Sequence, residues 1–438
     1  MSPMSVAQYL APDNPPFDLV VFDEASQIPV WDAIGVLARG GQAVIVGDPK
    51  QLPPTSFFSR STGEGNDEVE EDEVEDLESI LDECLAAQVP SHRLTWHYRS
   101  RDERLIAFSN ARYYDGQLRT FPASAADGVG VALRFVEGGV YDKGRSRTNR
   151  IEARAAADEV VRRLLDPATR ERSIGVVTFS QTQQTLVMDL LDEAQRQHPE
   201  LEAAFADTNP EAVFVKNLEN VQGDERDVVI FSIGYGPDAA GRVSMNFGPL
   251  NKDGGERRLN VAVTRARQEL IVFTSLRSHQ IDLARTSARG VHDLRAFLRY
   301  AEVETAPIAR GGASESEDPL VASIVARLVA RGWDVTTDVG RSDIRIDVGV
   351  RDPGDAGRFA LGIVTDGAHY ARFATARDRD RLQGDVLAGL GWRLARVFAV
   401  DWWRDADAEV ARLEASLAAL GLTPTPSTEA TRAPELEA

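Results

Sequence analysis

Several things are scarce in this sequence, and each scarcity excludes something. Cys84 is the one cysteine in 438 residues. A lone thiol rules out an intrachain disulfide or a cysteine-rich metal centre and suits a reducing compartment, so a cytoplasmic location is expected. No run of eighteen apolar residues occurs, which excludes a membrane-spanning helix by hydropathy. The first thirty residues lack the basic-then-apolar order of a secretory signal. Lysine is rare: Lys50, Lys143, Lys216 and Lys252 are four among 49 basic residues, the other forty-five being arginine. Phosphate contacts here must therefore come mostly from guanidinium groups.

Positive charge is also in deficit. The 69 acids leave a formal balance of -20, while 43% hydrophobic and 27% charged residues suit ordinary globular material. At face value this balance argues against a nucleic-acid partner. Its location argues otherwise. Twelve acids and no base lie between Ser61 and Glu83, and seven acids face two arginines from Asp405 to Ala438. Removing -12 and -5 from -20 leaves -3 for everything else. The run at 61–83, with Gly63 and Gly65, reads as a solvated, self-repelling insertion loop.

At ~100–200 residues per domain, the length predicts two or three domains. Short apolar runs at 19–22, 43–46, 174–179, 228–232 and 270–274 read as strands buried on both faces, as in parallel sheets. Helical stretches lie between them, such as 152–165 with Val160, Val161, Leu164 and Leu165 on one face. This alternation predicts α/β layers. A Gly/Ser/Glu-rich stretch at 309–318 reads as a linker. Beyond it the expected order is a helix (320–331), three strands (334–339, 344–350, 359–364), a helix (377–390), a strand (393–400) and a helix. That order describes a small mixed α/β domain, and the prolines at 424, 426 and 434 mark a disordered end.

Two strands end in acids at their carboxyl ends, where open α/β sheets bind ligands. The first is Val20-Val21-Phe22-Asp23-Glu24-Ala25-Ser26-Gln27. Paired carboxylates there suit Mg-nucleotide hydrolysis: Asp23 holds hydrated magnesium and Glu24 orients and deprotonates the attacking water. The second is Val46-Gly47-Asp48-Pro49-Lys50-Gln51-Leu52-Pro53-Pro54-Thr55, where Gln51 offers an amide able to sense a terminal phosphate. Alone, each would be a tight turn after a buried strand; together within about 35 residues they point to a nucleotide site.

The pair resembles motifs II and III of superfamily 1 helicases, particularly the 5′-to-3′ branch. Further matches follow in the family's order. Leu94-Thr95-Trp96-His97-Tyr98-Arg99-Ser100 is similar to the L-x-x-Q/N-Y-R segment, with His97 where many members have an amide. Val221-Gln222-Gly223-Asp224-Glu225-Arg226-Asp227 resembles motif V, and Arg258-Leu259-Asn260-Val261-Ala262-Val263-Thr264-Arg265-Ala266-Arg267 resembles motif VI. The resemblance implies two RecA-like P-loop NTPase domains, with ATP and Mg2+ as cofactors. It implies that Arg99 and Arg265 neutralise charge on the γ-phosphoryl group, a role that suits a permanently charged planar fork. It further implies that Glu225 accepts from the ribose, that Gly223 permits close backbone approach, and that Gln51 couples nucleotide state to the nucleic-acid track.

One part of the set is absent. The sequence holds no G-x-x-x-x-G-K-[ST] loop, only sixteen residues precede Phe17, and none of the four lysines lies in such a loop. The expectation is a first RecA-like domain that is truncated. Strands 19–22 and 43–46 should then lack sheet neighbours, and the chain alone should bind ATP weakly without useful hydrolysis. Two explanations stand open: a truncated or split gene product, or a fragment completed by a separate chain.

The last domain resembles the PD-(D/E)xK endonuclease fold in its very-short-patch-repair-like form. The residues carrying the likeness are Ile344-Arg345-Ile346-Asp347-Val348, Leu361-Gly362-Ile363-Val364-Thr365-Asp366-Gly367, Ala376-Arg377-Asp378-Arg379-Asp380-Arg381 and Gly391-Trp392-Arg393. The resemblance implies a metal held by Asp347 and an acid on the next strand. Val364 occupies the position where relatives place Glu, and Asp366 is the substitute on the same strand face. His369 is a candidate base, and Arg377, Arg379 and Arg381 are either a phosphate track or a salt-bridged helix face.

The resulting expectation is an α/β chain of RecA-like domains, the first truncated, plus a restriction-endonuclease-like mixed α/β domain. The expected boundaries are 1–125, 126–300, a linker at 301–318, 319–420 and a tail at 421–438. Its function would be that of the C-terminal part of an ATP-dependent helicase or translocase acting on nucleic acid, DNA favoured by the nuclease-like appendage, without a membrane partner. The competing readings are a non-catalytic nucleic-acid-binding or assembly module and a metal-dependent DNA endonuclease.

Overall fold

The computed structural model describes residues 1–11, 15–54, 78–125, 130–304, 318–373 and 375–424. The contacts divide it into two units. The first comprises Met1–Leu94, Leu133–Arg265 and Ile271–Tyr300; the second comprises Thr95–Ala132, Ala266–Leu270 and Ala301–Ala438. The division after Tyr300 falls at the boundary expected there, whereas residues 95–132 group with the C-terminal residues.

In the first unit, β1 (Val20–Phe22) and β2 (Ala43–Ile45) form a parallel pair with Phe22 opposite Ile45. A five-stranded sheet, most of whose residues are in this unit, is built from β3 (Val131–Phe135), β4 (Ile174–Thr178), β5 (Phe214–Asn217), β6 (Arg226–Ser232) and β7 (Ala266–Thr274). Its order is β3-β7-β6-β4-β5, and β4 runs parallel to both β5 and β6. Helices Arg150–Leu165 and Gln181–Gln197 cover one face: Ala153, Ala157, Val160, Val187 and Leu190 pack on Val176, Val228 and Ile230. Phe231 meets Phe179 and Phe297 in aromatic contacts. Burial on both faces explains why β4 and β6 read as apolar runs. Strands β3 and β5 escaped that reading because Arg134, Lys216 and Asn217 interrupt them, and every residue of β5 is only half-buried. The helices begin where Asn149 and Ser180 accept from the backbone N–H groups of Glu152 and Gln183, caps that contribute about 1 kcal/mol each.

Glu152 lies fully inside this unit. Its carboxylate accepts from the Gly234 and Ser275 backbone N–H groups and from the Ser232 and Ser275 hydroxyls. Burial nevertheless pushes its pKa up to about 7, against the lowering effect of these bonds. Between pH 4.5 and 7 the unfolded chain has thus released a proton that the folded chain still holds, so raising the pH removes stability. We expect this carboxyl to cost about 3 kcal/mol between pH 5 and pH 8. Urea titrations at the two pH values test this, and the slope should flatten in Glu152→Gln.

The expected acidic loop falls mostly outside the described residues, but its last part is not a loop. Residues Ile80–Ala86 form a helix capped by Ser79, whose hydroxyl accepts from Asp82 N at 3.1 Å. Ile80 and Leu81 are buried against Phe22 and Ala25, so two apolar anchors outweigh the acids beside them. The expected linker and tail lie outside the described residues apart from 301–304, which end the helix Arg289–Glu304, from Asp318 and from residues 421–424.

In the second unit, β8 (Val335–Val339), β9 (Ile346–Asp352), β10 (Asp355–Thr365) and β11 (Leu394–Val397) form a mixed sheet. Its order is β11-β10-β9-β8, with β8-β9 and β9-β10 antiparallel and β10-β11 parallel. Helices Pro319–Ala330 and Ala406–Ala418 share one core with it through Ile324, Leu328, Val348, Ile363 and Leu413. The expected helix at 377–390 is a π-helical turn, Asp378–Leu382, followed by the helix Gln383–Gly389. The last strand stops at Val397, and a helix already begins at Ala399. Among the described residues no helix is long and apolar enough to cross a membrane.

Candidate functional site

The site in the first unit is built where β1 and β2 end side by side. Val46 N donates to Phe22 O and Ala25 N donates to Val46 O, both at 2.8 Å, so the two acidic turns are stitched together. Gly47 permits this closeness: a Cβ there would come within 2.9 Å of Ser26 N and 3.0 Å of a Leu81 methyl. Asp23 and Glu24 are both exposed. Glu24 adopts a left-handed conformation (φ 51°), unusual for a non-glycine residue and the kind of backbone strain that gathers at functional sites. Its N–H donates to Asp23 Oδ1 at 3.0 Å, and its Oε2 accepts from Gln27 Nε2 at 3.3 Å. A helical cap or buried pair would have consumed these carboxylates; here they face solvent.

The second turn is ordered by Asp48, which accepts from Lys50 N at 2.8 Å and from Gln51 Nε2 at 3.2 Å. Gln51 Oε1 then accepts from Gln222 Nε2 at 3.4 Å, and the Lys50 carbonyl accepts from Asn260 Nδ2 at 2.9 Å. Three of the sequence segments singled out above therefore converge in one unit. The role of Asn260 was not foreseen; its place inside the Arg258–Arg267 segment was the available signal.

Gly223 has φ 87° and open space around its missing Cβ, so glycine is required there by the backbone conformation rather than by a crowded neighbour. Glu225 is half-buried in the following turn. Arg265 is buried, 4% exposed, and its guanidinium donates to Val261 O and to Thr264 Oγ1. Arg99 is exposed and belongs to the second unit, so the two candidate arginines are carried by different units. Beside it, His97 is pushed down to about 4 by burial and by the Arg99 charge, and its Nε2 lies 2.8 Å from Ser100 Oγ. A ring that stays neutral explains how His97 can stand where an uncharged amide is expected.

Asp347 is buried on β9. Its Oδ2 accepts from Thr365 N at 2.6 Å and Thr365 Oγ1 at 3.0 Å, while its Oδ1 lies 2.7 Å from His369 Nδ1. Asp366 instead accepts from Ala399 N at 2.8 Å, at the start of the helix Ala399–Arg404. The partner the structure brings to Asp347 is thus His369, with Asp338 3.4 Å from the other ring nitrogen. No group of three or more His, Cys, Asp or Glu that could hold a metal ion exists among the described residues. Arg379 and Arg396 lie over the Tyr370 ring, and Arg396 pairs with Asp380 at 2.7 Å.

Comparison with known proteins gives three family matches. An AAA domain is matched at residues 4–59 and another at 77–277, and the REase_MTES_1575 family is matched at 321–417. The chain is 35% identical, over 65% of its length, to 25% of an uncharacterized ATP-dependent helicase, MG140 homolog, of Mycoplasma pneumoniae. It is 37% identical over 65% of its length to 25% of the MG140 helicase of Mycoplasma genitalium. Probable helicase senataxin of Homo sapiens is 26% identical over 60% of this chain and 10% of that protein. The chain spans about a quarter of the length of the first two relatives.

Proposed function

We propose, for a chain that carries helicase-type AAA domains with an endonuclease-like domain after them, that it is part of an ATP-driven motor on DNA. The observation that carries this reading is the convergence of Asp23, Glu24, Asp48 and Gln51 at two strand ends, with Gln222 and Asn260 bonded to the second turn. One exposed aspartate suits Mg2+, which keeps several waters and takes one or two carboxylates plus substrate phosphates. Bound there, Mg2+ with ATP supplies charge neutralisation at the phosphates. Asp23 would hold the hydrated ion, Glu24 would orient water and accept its proton, and Gln51 would relay the state of the site to Gln222. Arg99 and Arg265 are the side chains assigned to neutralise charge on the terminal phosphate, and Glu225 the one assigned to the ribose.

The 438 residues lack a G-x-x-x-x-G-K-[ST] loop, so turnover requires that loop from other residues. Half-exposed apolar side chains on the β1-β2 pair, Val21 at 58% and Val44 at 46%, support its completion by further sheet. For the endonuclease-like domain the reading is DNA contact without cutting, supported by Val364 where relatives place Glu and by Asp366 bonding Ala399 N instead of joining Asp347. Titrating fluorescent ATP into the chain tests the motor reading. We expect weak binding alone and at least about tenfold tighter binding when a loop-bearing segment is supplied, since each tenfold is about 1.4 kcal/mol of phosphate contact. Equal affinity in both cases would sink it.

A further inference from the structure

We propose that the turn Arg341-Ser342 of the endonuclease-like domain is a clamp that positions the loop carrying Arg99. The appended domain then sets the aim of that loop, and the inference rests on Arg99 acting as proposed above. All residues involved belong to the second unit.

The clamp grips both flanks of that loop. On one side, Ser342 Oγ donates to Thr120 O at 2.7 Å and accepts from Thr120 N at 3.1 Å, so one hydroxyl holds both backbone groups of Thr120. The next residue back, Arg119, is paired with the start of the loop: His97 N donates to Arg119 O at 2.9 Å, and Arg119 N to Thr95 O at 2.7 Å. On the other side, Arg341 N donates to Glu103 Oε2 at 2.9 Å, and Glu103 also bonds the Thr120 hydroxyl. Glu103 is buried, so its carboxylate depends on these donors.

Below the clamp the two segments share a core. Phe121, 1% exposed, packs with Ile344, Ile346, Leu387 and Trp392, and Trp392 Nε1 donates to Pro122 O at 2.7 Å. Trp96 meets Phe121 edge-on, with ring centroids 5.3 Å apart. Between these anchors Tyr98 and Arg99 are exposed. Such a loop keeps its aim because its flanks are fixed, and here the fixing groups come from more than two hundred residues away in sequence.

Amide exchange on the full chain, with and without the phosphate loop supplied, provides the test. Ser342→Ala should speed exchange at His97 and Arg119 about tenfold while β10 stays protected, and Ser342→Thr should restore it. In ATP turnover, Ser342→Ala should lower kcat about tenfold at unchanged KM, with no further loss in an Arg99→Ala background. Glu103→Gln, which keeps the side-chain volume, should give the same pattern should Ser342→Ala fail to fold. Unchanged exchange at His97, or Ser342→Ala and Arg99→Ala losses that multiply, would overturn the clamp. If the completed chain turns over no ATP at all, the motor reading fails, and exchange alone then decides the clamp.

Discussion

Glu24→Gln should lower kcat for ATP hydrolysis about a thousandfold once the phosphate-binding loop is supplied, with nucleotide affinity unchanged. Glutamine keeps the shape of the side chain and can still meet Gln27, whose amide lies 3.3 Å from Glu24 Oε2. What it loses is the negative charge and the proton-accepting capacity that the proposed role of Glu24 requires. The left-handed backbone at Glu24 (φ 51°) holds the carboxylate at the strand end beside Asp23, so the loss falls on chemistry rather than on folding. Asp23→Asn should act differently, weakening Mg-nucleotide binding itself. Steady-state turnover and nucleotide titration on the two variants separate these roles. Turnover by Glu24→Gln at the parent rate would place the base elsewhere.

Arg258→Ala should cost about 3–5 kcal/mol of stability in the first unit, the loss typical of breaking a buried ion pair. Arg258 is 1% exposed; its Nε lies 2.9 and 3.0 Å from the two Glu219 oxygens, and Nη1 donates to Asp253 O at 3.1 Å. Removing the guanidinium leaves a cavity, an unpaired carboxylate and an unmet carbonyl at once. The loss should appear as faster amide exchange along the helix Gly255–Val263, and Arg258→Lys should recover part of it because lysine lacks the planar fork. That helix also carries Asn260, whose amide holds the Lys50 carbonyl, so the variant should weaken nucleotide binding as well. Parent-like exchange in Arg258→Ala would mean that the pair contributes little.

Much of the candidate site was legible because its parts are local. Asp23-Glu24 and Gly47 to Pro54 are contiguous, and each follows an apolar run whose burial on both sides shows in composition. His97, Gln222 and Asn260 lie inside quoted segments, but nothing in their spacing says that Gln222 meets Gln51 or that Asn260 reaches Lys50. Those contacts depend on loops from separate strands arriving at one place. Glu152 was invisible for a similar reason: an Asn-x-x-Glu pattern reads as a helix cap, whereas this glutamate turns inward to Ser232, Gly234 and Ser275.

What the sequence determined by itself is the set of parts: α/β layers, the acidic strand ends, basic side chains that are almost all arginine and the lack of a G-x-x-x-x-G-K-[ST] loop. These follow from residue type and short spacing, which act within a few residues along the chain. What only the tertiary structure decided is how the parts are grouped. The sequence order suggested that residues up to 125 belong with the first strands, yet Thr95–Ala132 is built into the endonuclease-like unit. Phe121 packs with Trp392 and Ile344, the Pro122 carbonyl accepts from Trp392 Nε1, and Ser124 Oγ donates to Leu390 O. Side-chain burial is collected wherever complementary surfaces meet, whatever their separation in sequence. The same logic turned Asp347 toward His369 and Asp366 toward Ala399, a division that alternation along a strand could not reveal.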